Sequence, residues 1–217
     1  MKYKAVLFDL DGTLADTLAD LAAGCNKALA DFGYPPHEKE KYKYFVGNGA
    51  MVLMQRILPV DAPEGKYLEL RERFNYHYGN GLLDTTCLFD GIEKMLNDLK
   101  AEGVKLAVFS NKPHDMTKKI MDTLCKDGVF ECVYGQSEKM PRKPDPTALH
   151  IICKEIGVTE ADCVYVGDSG GDMKVAAAAG MDSIGVLWGF RKEDELCESG
   201  ATHIAKTVHD ITDIVLG

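Results

Sequence analysis

The regular alternation of short apolar runs with amphipathic segments constrains the fold more than any other feature of the chain. The pattern predicts strands at 104–109, 130–134, 163–166 and 183–187, and helices at 91–102, 113–125, 145–156, 173–179 and 208–216. Parallel strands need long crossover connections, usually helices, whereas antiparallel strands are often joined by tight turns. The alternation therefore predicts an α/β fold in which helices cover both faces of a doubly wound parallel sheet.

The stretch from residue 15 to residue 83 departs from this alternation. It follows the segment that contains Asp9 and Asp11, which comes after an apolar run at residues 5–8 that predicts a buried strand. It contains no convincing strand pattern, and its helical patterns span residues 18–32, 50–58 and 67–78. We therefore expect an all-helical insert at 15–83, placed after the first strand of a core that consists of residues 1–14 and 84–217.

Composition and charge narrow the class of protein. The 217 residues are 46% hydrophobic and 27% charged, which is ordinary for a globular protein. The formal net charge of −9 argues against nucleic acid as a partner, because binding to a phosphate backbone needs clustered Lys and Arg. No apolar run approaches the length of a membrane span, so we expect no membrane association.

The first residues and the cysteines indicate a cytoplasmic protein. Only four apolar residues precede Asp9, so we expect no signal peptide. The seven cysteines are an odd number and lack the spacing of a disulfide framework or a zinc site. Such a set suits a reducing compartment. Cys153 and Cys163 fall within a predicted helix and a predicted strand, where we expect them to be small buried hydrophobic residues.

Two carboxylates follow the first predicted strand at a spacing of two residues. Asp9 and Asp11 belong to the segment Phe-Asp-Leu-Asp-Gly-Thr-Leu at 8–14. Because side chains along an extended backbone repeat with a period of two, both carboxylates point the same way. Like charges this close raise each other's pKa unless a cation or hydrogen bonds compensate. The pair is therefore a candidate for sharing one metal ion or one reacting group.

Polar residues also follow other predicted strands. In open α/β sheets, ligands bind beyond the carboxyl ends of the strands. The residues expected there are Asp9, Asp11, Ser110, Asn111, Lys112, Lys143, Asp168 and Asp172. Four carboxylates, a hydroxyl and lysine side chains thus converge on one edge of the sheet, which predicts the functional site at that edge.

The order and spacing of these motifs resemble those of the haloacid dehalogenase superfamily of phosphatases. The family motif D-x-D-G-T-[LV] matches the segment at 8–14, and the acidic motif G-D-x-x-x-D matches 167–172. The Ser/Thr and Lys motifs match Ser110 and Lys143. The resemblance implies a Rossmann-like core with a small helical cap. It also implies a Mg²⁺-dependent phosphomonoester hydrolase that acts on a small phosphorylated metabolite through an aspartyl-phosphate intermediate.

The resemblance implies catalytic and metal-binding roles for four carboxylates. Asp9 is the nucleophile, which suits a group that is ionised at neutral pH without the help of a base. Asp11 gives a proton to the leaving alkoxide and then activates water. Asp9, the backbone carbonyl of Asp11 and Asp168 bind Mg²⁺. Asp172 either ligates the ion or orients its ligands.

Three further residues are implied to bind the phosphoryl group. Ser110 and Asn111 donate hydrogen bonds to its oxygens, and Lys143 supplies a positive charge to them. A lysine in a Pro-flanked loop would ordinarily be solvated, so the assignment of Lys143 depends on its place in the ordered series of motifs.

The prediction of the substrate depends on the insert. Gly47, Asn48 and Gly49 precede a predicted helix, where free N–H groups and the positive end of the helix dipole suit a small anion. This loop and the tail at 186–191 resemble the phosphoglycolate phosphatase branch, which implies 2-phosphoglycolate as the substrate and a role for the loop in specificity. The insert departs from the branch at Lys43 and Tyr44, near which many of its members carry an arginine.

Two alternative functions stay open on the sequence. A phosphosugar mutase of the same fold would usually carry a basic, Arg-containing stretch in its cap, which the insert lacks. A receiver-type signalling domain also surrounds a phospho-accepting Asp with acidic residues, a Ser/Thr and a Lys. Receivers, however, are much shorter, carry the acceptor after the third strand and have no helical insert. Release of phosphate from many equivalents of substrate would exclude a receiver.

Overall fold

The structure, a computed structural model of residues 1–217, alternates strands and helices along most of the chain. Its strands are β1 (Ala5–Phe8), β2 (Ala15–Asp16), β3 (Cys87–Leu88), β4 (Lys105–Pro113), β5 (Cys132–Gln136), β6 (Cys163–Gly167), β7 (Asp182–Val186) and β8 (His203–Ala205). Its helices are α1 (Leu18–Asp31), α2 (Tyr42–Phe45), α3 (Gly49–Ile57), α4 (Lys66–Asn80), α5 (Ile92–Ala101), α6 (His114–Leu124), α7 (Thr147–Ile156), α8 (Gly170–Ala179), α9 (Glu193–Glu198) and α10 (Val208–Leu216). None of these helices has both the length and the apolar character needed to cross a membrane.

Six strands form one parallel sheet in the order β5-β4-β1-β6-β7-β8. The central strand β1 pairs with β4 on one side and β6 on the other. Val6 and Phe8 pack into one hydrophobic cluster, and Ala5 and Leu7 into a second one, because alternate side chains of a strand point to opposite faces. All four are fully buried, as expected where helices cover both faces. The predicted doubly wound α/β core is confirmed, and β1 leads Asp9 to the middle of its carboxyl edge.

Helices α1 to α4 form the predicted helical insert between β2 and β3. We call residues 15–83 the cap and the rest of the chain the core; these limits stay a prediction. Long apolar side chains of the cap helices, Leu29, Leu70 and Phe74 among them, join the larger hydrophobic cluster. Cap and core therefore share continuous apolar packing.

A short antiparallel ribbon of β2 and β3 connects the cap to the core. The sequence pattern predicted no strand in this region, because two residues are too few to show a period. Beside the ribbon, the buried carboxylate of Asp20 accepts hydrogen bonds of 2.6–3.0 Å from the N–H and hydroxyl groups of both Thr85 and Thr86. The two chain segments between cap and core are thereby held together.

Local contacts shift some element ends away from their predicted positions. Strand β4 continues beyond residue 109 to Pro113, because its last residues still pair with β5 after an irregularity that follows Ser110. The helix predicted to begin at Asp145 begins at Thr147, with Pro146 as its N-cap. Elements α9 and β8, with six and three residues, were not predicted because they are too short for a clear period.

Candidate active site

A cleft between core and cap opens at the carboxyl edge of the sheet. The space between its walls, with its open mouth included, is about 630 Å³. The core side is largely polar and charged, with Asp9, Asp11, Ser110, Asn111, Lys112, Asp168, Ser169 and Arg191 beside the apolar Pro113, Met116 and Phe190. The cap side is largely apolar, with Leu21, Val46, Ala50, Leu53, Phe74 and Tyr78 beside Gly47 and Gly49. The cleft therefore combines a floor suited to a charged group with a wall suited to enclosing a small molecule.

Three buried carboxylates form a cluster at the ends of β1 and β6. Asp9, Asp168 and Asp172 each offer an oxygen within 4.8 Å of the others, and each is at most 7% exposed. Burial raises the pKa of Asp9 to about 6, with opposition from the Lys143 ammonium and a further increase from Asp172. Burial, together with Asp172 and Asp9, raises the pKa of Asp168 well above its usual value. The cluster holds more negative charge than its surroundings neutralise.

One buried lysine lies within this cluster. Lys143 Nζ is 2.9 Å from Asp9 Oδ1 and 2.6 Å from Asp172 Oδ1, and it donates a hydrogen bond of 3.2 Å to the Tyr165 hydroxyl. Burial alone would lower the pKa of Lys143, but the carboxylates of Asp172 and Asp9 raise it well above its usual value. The lysine is therefore a fixed positive charge beside Asp9.

The donor set of the cluster fits a hard divalent cation. All three residues offer carboxylate oxygens, which Mg²⁺ prefers to nitrogen or sulfur. Although Asp9 Oδ1 lies near an ammonium, no aligned hydrogen bond reaches this buried atom. The Asp172 carboxylate is held by the N–H and hydroxyl of Ser169 at 2.9 and 2.6 Å. The residues present are thus able to hold the predicted metal ion.

The backbone closes tightly around Asp168. The N–H of Phe190 donates to Asp168 Oδ2 at 2.7 Å. A Cβ at Gly12 or Gly189 would overlap the same carboxylate, and Gly12 has a φ of +82°. The segment that follows β7 is therefore part of the site, which the sequence indicated only through the resemblance of residues 186–191.

The carboxylate of Asp11 lies outside the three-carboxylate cluster. It accepts a hydrogen bond of 2.5 Å from the Thr17 hydroxyl and bonds of 2.7 and 3.0 Å from Lys112 Nζ. Burial alone would lower the pKa of Lys112, but Asp11 raises it above its usual value. The Asp11 side chain is not part of the carboxylate cluster. This agrees with the expectation that Asp11 would contact the metal only through its backbone carbonyl. Sequence reasoning placed Lys112 at this edge but assigned it no role.

Ser110 and Asn111 lie buried at the end of β4 and line the cleft. Ser110 Oγ accepts a hydrogen bond of 3.3 Å from the Lys112 N–H, which leaves its own proton to donate. Asn111 Oδ1 accepts from the Lys143 N–H at 2.7 Å, and its Nδ2 donates to the Gly47 carbonyl at 2.9 Å. Both ends of the Asn111 amide are thus engaged with protein groups, and its role toward phosphate stays a prediction.

Core side chains hold the cap loop, residues 43–49, over the cleft. Arg191 donates hydrogen bonds to the carbonyls of Lys43 and Val46. Asn111 donates to the carbonyl of Gly47, and Arg142 donates to that of Asn48. Gly47 and Gly49 have φ values of +103° and +81°, which other residues adopt only with strain. Helix α3 begins at Gly49, one residue before the predicted start, with Asn48 as its N-cap. Arg191 of the core thus brings a guanidinium to the cap loop.

A comparison with protein families shows which proteins this chain resembles. Residues 6–186 match the model of the family described as haloacid dehalogenase-like hydrolase. A phosphoglycolate phosphatase of Colwellia psychrerythraea is 33% identical over 214 residues, which cover 96% of this chain and 95% of the relative. One of Haemophilus influenzae is 34% identical over 205 residues, which cover 91% and 92%.

Solved structures show the same fold over the whole chain. A protein from Lactobacillus delbrueckii subsp. bulgaricus superposes with a TM-score of 0.94 at 33% identity, over 100% of both chains. A predicted phosphoglycolate phosphatase from Haemophilus somnus superposes with a TM-score of 0.90 at 30% identity, over 99% of this chain and 98% of the other. These comparisons exclude the receiver-domain alternative, because the matching family is one of hydrolases.

Proposed function

This chain belongs to the haloacid dehalogenase-like hydrolases as a phosphatase of the phosphoglycolate phosphatase-like kind, and we propose that it hydrolyses 2-phosphoglycolate through an aspartyl phosphate on Asp9. The position of Asp9 carries the proposal. It lies buried on the floor of the cleft, 2.9 Å from the Lys143 ammonium and grouped with Asp168 and Asp172. A carboxylate there can attack a phosphoryl group whose charge is balanced by its neighbours.

The first half of the reaction transfers the phosphoryl group to Asp9. An oxygen of Asp9 attacks phosphorus, and the bond between phosphorus and the ester oxygen breaks. Asp11 gives its proton to the departing alkoxide, which leaves as glycolate. Ser110 and Lys143 face the phosphoryl oxygens as donors in this proposal, which their burial beside Asp9 supports.

The second half releases phosphate. The ionised Asp11 takes a proton from a water molecule, which attacks the phosphorus of the aspartyl phosphate. The bond between phosphorus and the Asp9 oxygen breaks, so that inorganic phosphate leaves and the Asp9 carboxylate is restored. The hydrogen bonds from Thr17 and Lys112 fix the Asp11 carboxylate in place, which supports its use in both proton transfers.

We further propose that Mg²⁺ is the metal cofactor. When bound, the ion would neutralise the charge of the phosphate dianion and of the carboxylates that approach it. Asp9, the backbone carbonyl of Asp11 and Asp168 would hold it, and Asp172 would ligate it or orient its ligands. The excess negative charge of the cluster and the unbonded Asp9 Oδ1 support this assignment.

The assignment of 2-phosphoglycolate is supported by the names of the full-length relatives. The cap adds support, because Gly47 and Gly49 of the loop line the cleft, and Asn111 of the core holds the loop there. The seven cysteines are all free thiols, which supports a cytoplasmic setting.

A panel of phosphate monoesters tests the proposal. Phosphate release from 2-phosphoglycolate, 3-phosphoglycerate, glucose 6-phosphate, glucose 1-phosphate and ethyl phosphate would be measured with Mg²⁺ present. We expect the highest kcat/KM for 2-phosphoglycolate. Preferred turnover of a hexose phosphate would contradict the substrate assignment, and conversion of glucose 1-phosphate to its 6-phosphate isomer would favour the mutase alternative.

A further inference from the structure

The proposed substrate carries a second anion that the phosphate site does not accommodate. In 2-phosphoglycolate the carboxylate carbon is two bonds from the ester oxygen, so it enters the cleft together with the reacting group. A carboxylate enclosed beside an apolar wall requires a cation and hydrogen-bond donors. The cations that line the cleft are Lys112 and Arg191.

Arg191 is already committed to protein groups. Its guanidinium donates to the carbonyls of Lys43 and Val46 in the cap loop, and its Nε lies 3.3 Å from Glu195 Oε1. These contacts engage all three nitrogens of the guanidinium, and Glu195 balances part of its charge. Lys112 is therefore the better candidate for a substrate carboxylate.

Lys112 stands where such a carboxylate must arrive. Its Nζ is 2.7 and 3.0 Å from the two carboxylate oxygens of Asp11. In the proposed mechanism Asp11 protonates the ester oxygen. The substrate carboxylate, whose carbon is two bonds from that oxygen, therefore comes close to the ammonium that contacts Asp11. An ammonium has three N–H groups, of which Asp11 occupies two.

A second donor comes from the cap side of the cleft. Tyr78, near the end of α4, is 1% exposed and lines the cleft, yet no aligned hydrogen bond reaches its hydroxyl. Lys112 Nζ lies 5.0 Å from the centre of the Tyr78 ring. Burial raises the pKa of Tyr78 to about 12 against the opposing effect of the nearby Lys112 ammonium, so the group is a hydrogen-bond donor at neutral pH. A buried hydroxyl without a partner is costly, which indicates a ligand that completes it.

We propose that Lys112 and Tyr78 form the subsite for the carboxylate of a short phosphorylated acid. Lys112 supplies the charge, and the Tyr78 hydroxyl supplies a second hydrogen bond to the same group. Because Lys112 belongs to the core and Tyr78 to the cap, the subsite is complete only with the cap over the cleft. This assignment rests on the proposed function. Sugar phosphates and alkyl phosphates place no charge at this distance from the ester oxygen, so the pair selects against them.

Paired substrates test the subsite. We would measure kcat and KM for 2-phosphoglycolate and for ethyl phosphate, which replaces the carboxylate with a methyl group. In Tyr78→Phe the ratio of the two kcat/KM values should fall about 10-fold, mainly through a higher KM for 2-phosphoglycolate. In Lys112→Gln it should fall about 100-fold, and Lys112→Arg should restore part of it.

Tyr76→Phe is the matched control, because Tyr76 is exposed on the same helix, and it should leave the ratio unchanged. Tyr78→Phe removes a hydroxyl without a partner, so its melting temperature should not fall. An unchanged ratio in Tyr78→Phe and Lys112→Gln, with a wild type that prefers 2-phosphoglycolate, would overturn the subsite and leave the proposed function standing. A wild type without that preference would overturn both.

Discussion

Asn111 of the core donates its side-chain amide to the backbone carbonyl of Gly47 in the cap, with an N···O distance of 2.9 Å. The other end of the amide accepts a hydrogen bond of 2.7 Å from the N–H of Lys143. One side chain thus connects the cap loop to the lysine that pairs with Asp9. Changes in the conformation of the cap loop should therefore reach the phosphate site.

Substitution of Gly47 or Gly49 by Val should weaken substrate discrimination. A Cβ at either position would have room, with nearest atoms at 3.5 and 3.7 Å, so the cost comes from the positive φ and not from collision. We expect kcat/KM for 2-phosphoglycolate to fall about 10-fold and that for acetyl phosphate to change much less. Gly33→Val is the matched control, since Gly33 has a φ of +73° and no neighbour within 4 Å of its Cβ position. Equal losses on both substrates would show that the loop acts through folding or closure.

Asp11→Asn should keep the fold and part of the phosphoenzyme formation but lose most turnover. An amide cannot first give and then take the proton, so kcat should fall about 10²-fold or more on alkyl phosphates. The loss should be smaller on aryl phosphates, whose leaving groups need no proton. Steady-state rates on matched alkyl and aryl esters would check this. The same loss on both classes would contradict the role of Asp11 as general acid.

Activity should require a hard divalent cation. The cluster of Asp9, Asp168 and Asp172 offers only carboxylate oxygens, so Mg²⁺ should activate and Mn²⁺ or Co²⁺ should substitute. Ca²⁺ should inhibit, because it prefers more ligands and looser geometry than Mg²⁺. Phosphate release would be measured after exhaustive chelation and after each metal is added back. Full activity in the chelated enzyme would refute the metal site.

The hydrogen bonds of Asp20 should make stability depend on acid pH. Burial works against its charge, but the bonds from Thr85 and Thr86 prevail and lower the pKa of Asp20 below its usual value. The stabilisation is therefore complete above the unfolded pKa of about 3.9, and it is lost as pH falls through the lower folded value. Asp20→Asn should cost about 1–3 kcal/mol of unfolding free energy at pH 7.

Denaturant unfolding of wild type and Asp20→Asn at pH 7 and at pH 3 would measure this difference. It should shrink at pH 3, because protonation removes the same interaction from the wild type. Asp127→Asn, at an exposed position, is the charge control and should show little change at either pH. A difference that stays constant with pH would show that Asp20 is not ionised in the folded protein.

The core of the fold was predictable because its strands and helices are long enough to show their periods. Strand β1 was evident from four apolar residues and the Asp pair behind them, and α10 from its apolar spacing. The β2–β3 ribbon and β8 escaped prediction because two or three residues carry no period. Their positions depend on pairing with distant segments, which a local pattern does not contain.

The site was predictable only as far as motifs mark the ends of strands. Asp9, Asp168 and Asp172 follow strands that the pattern located, and the structure brings their oxygens together. The pairing of Lys112 with Asp11 depends on how β4 lies beside β1, and the position of Tyr78 beside Lys112 depends on how the cap lies on the core. That placement is set by packing between segments far apart in the sequence.

Trapping of the phosphoenzyme tests the central claim most directly. Enzyme would be mixed with ³²P-labelled 2-phosphoglycolate and Mg²⁺, quenched in acid within milliseconds, digested and mapped by mass spectrometry. We predict label on the peptide that contains Asp9, at levels that fall as the substrate is exhausted. We also predict neither label nor turnover in Asp9→Asn once deamidation is excluded. Label on another residue, or substantial turnover in Asp9→Asn, would contradict the assignment of Asp9 as the nucleophile.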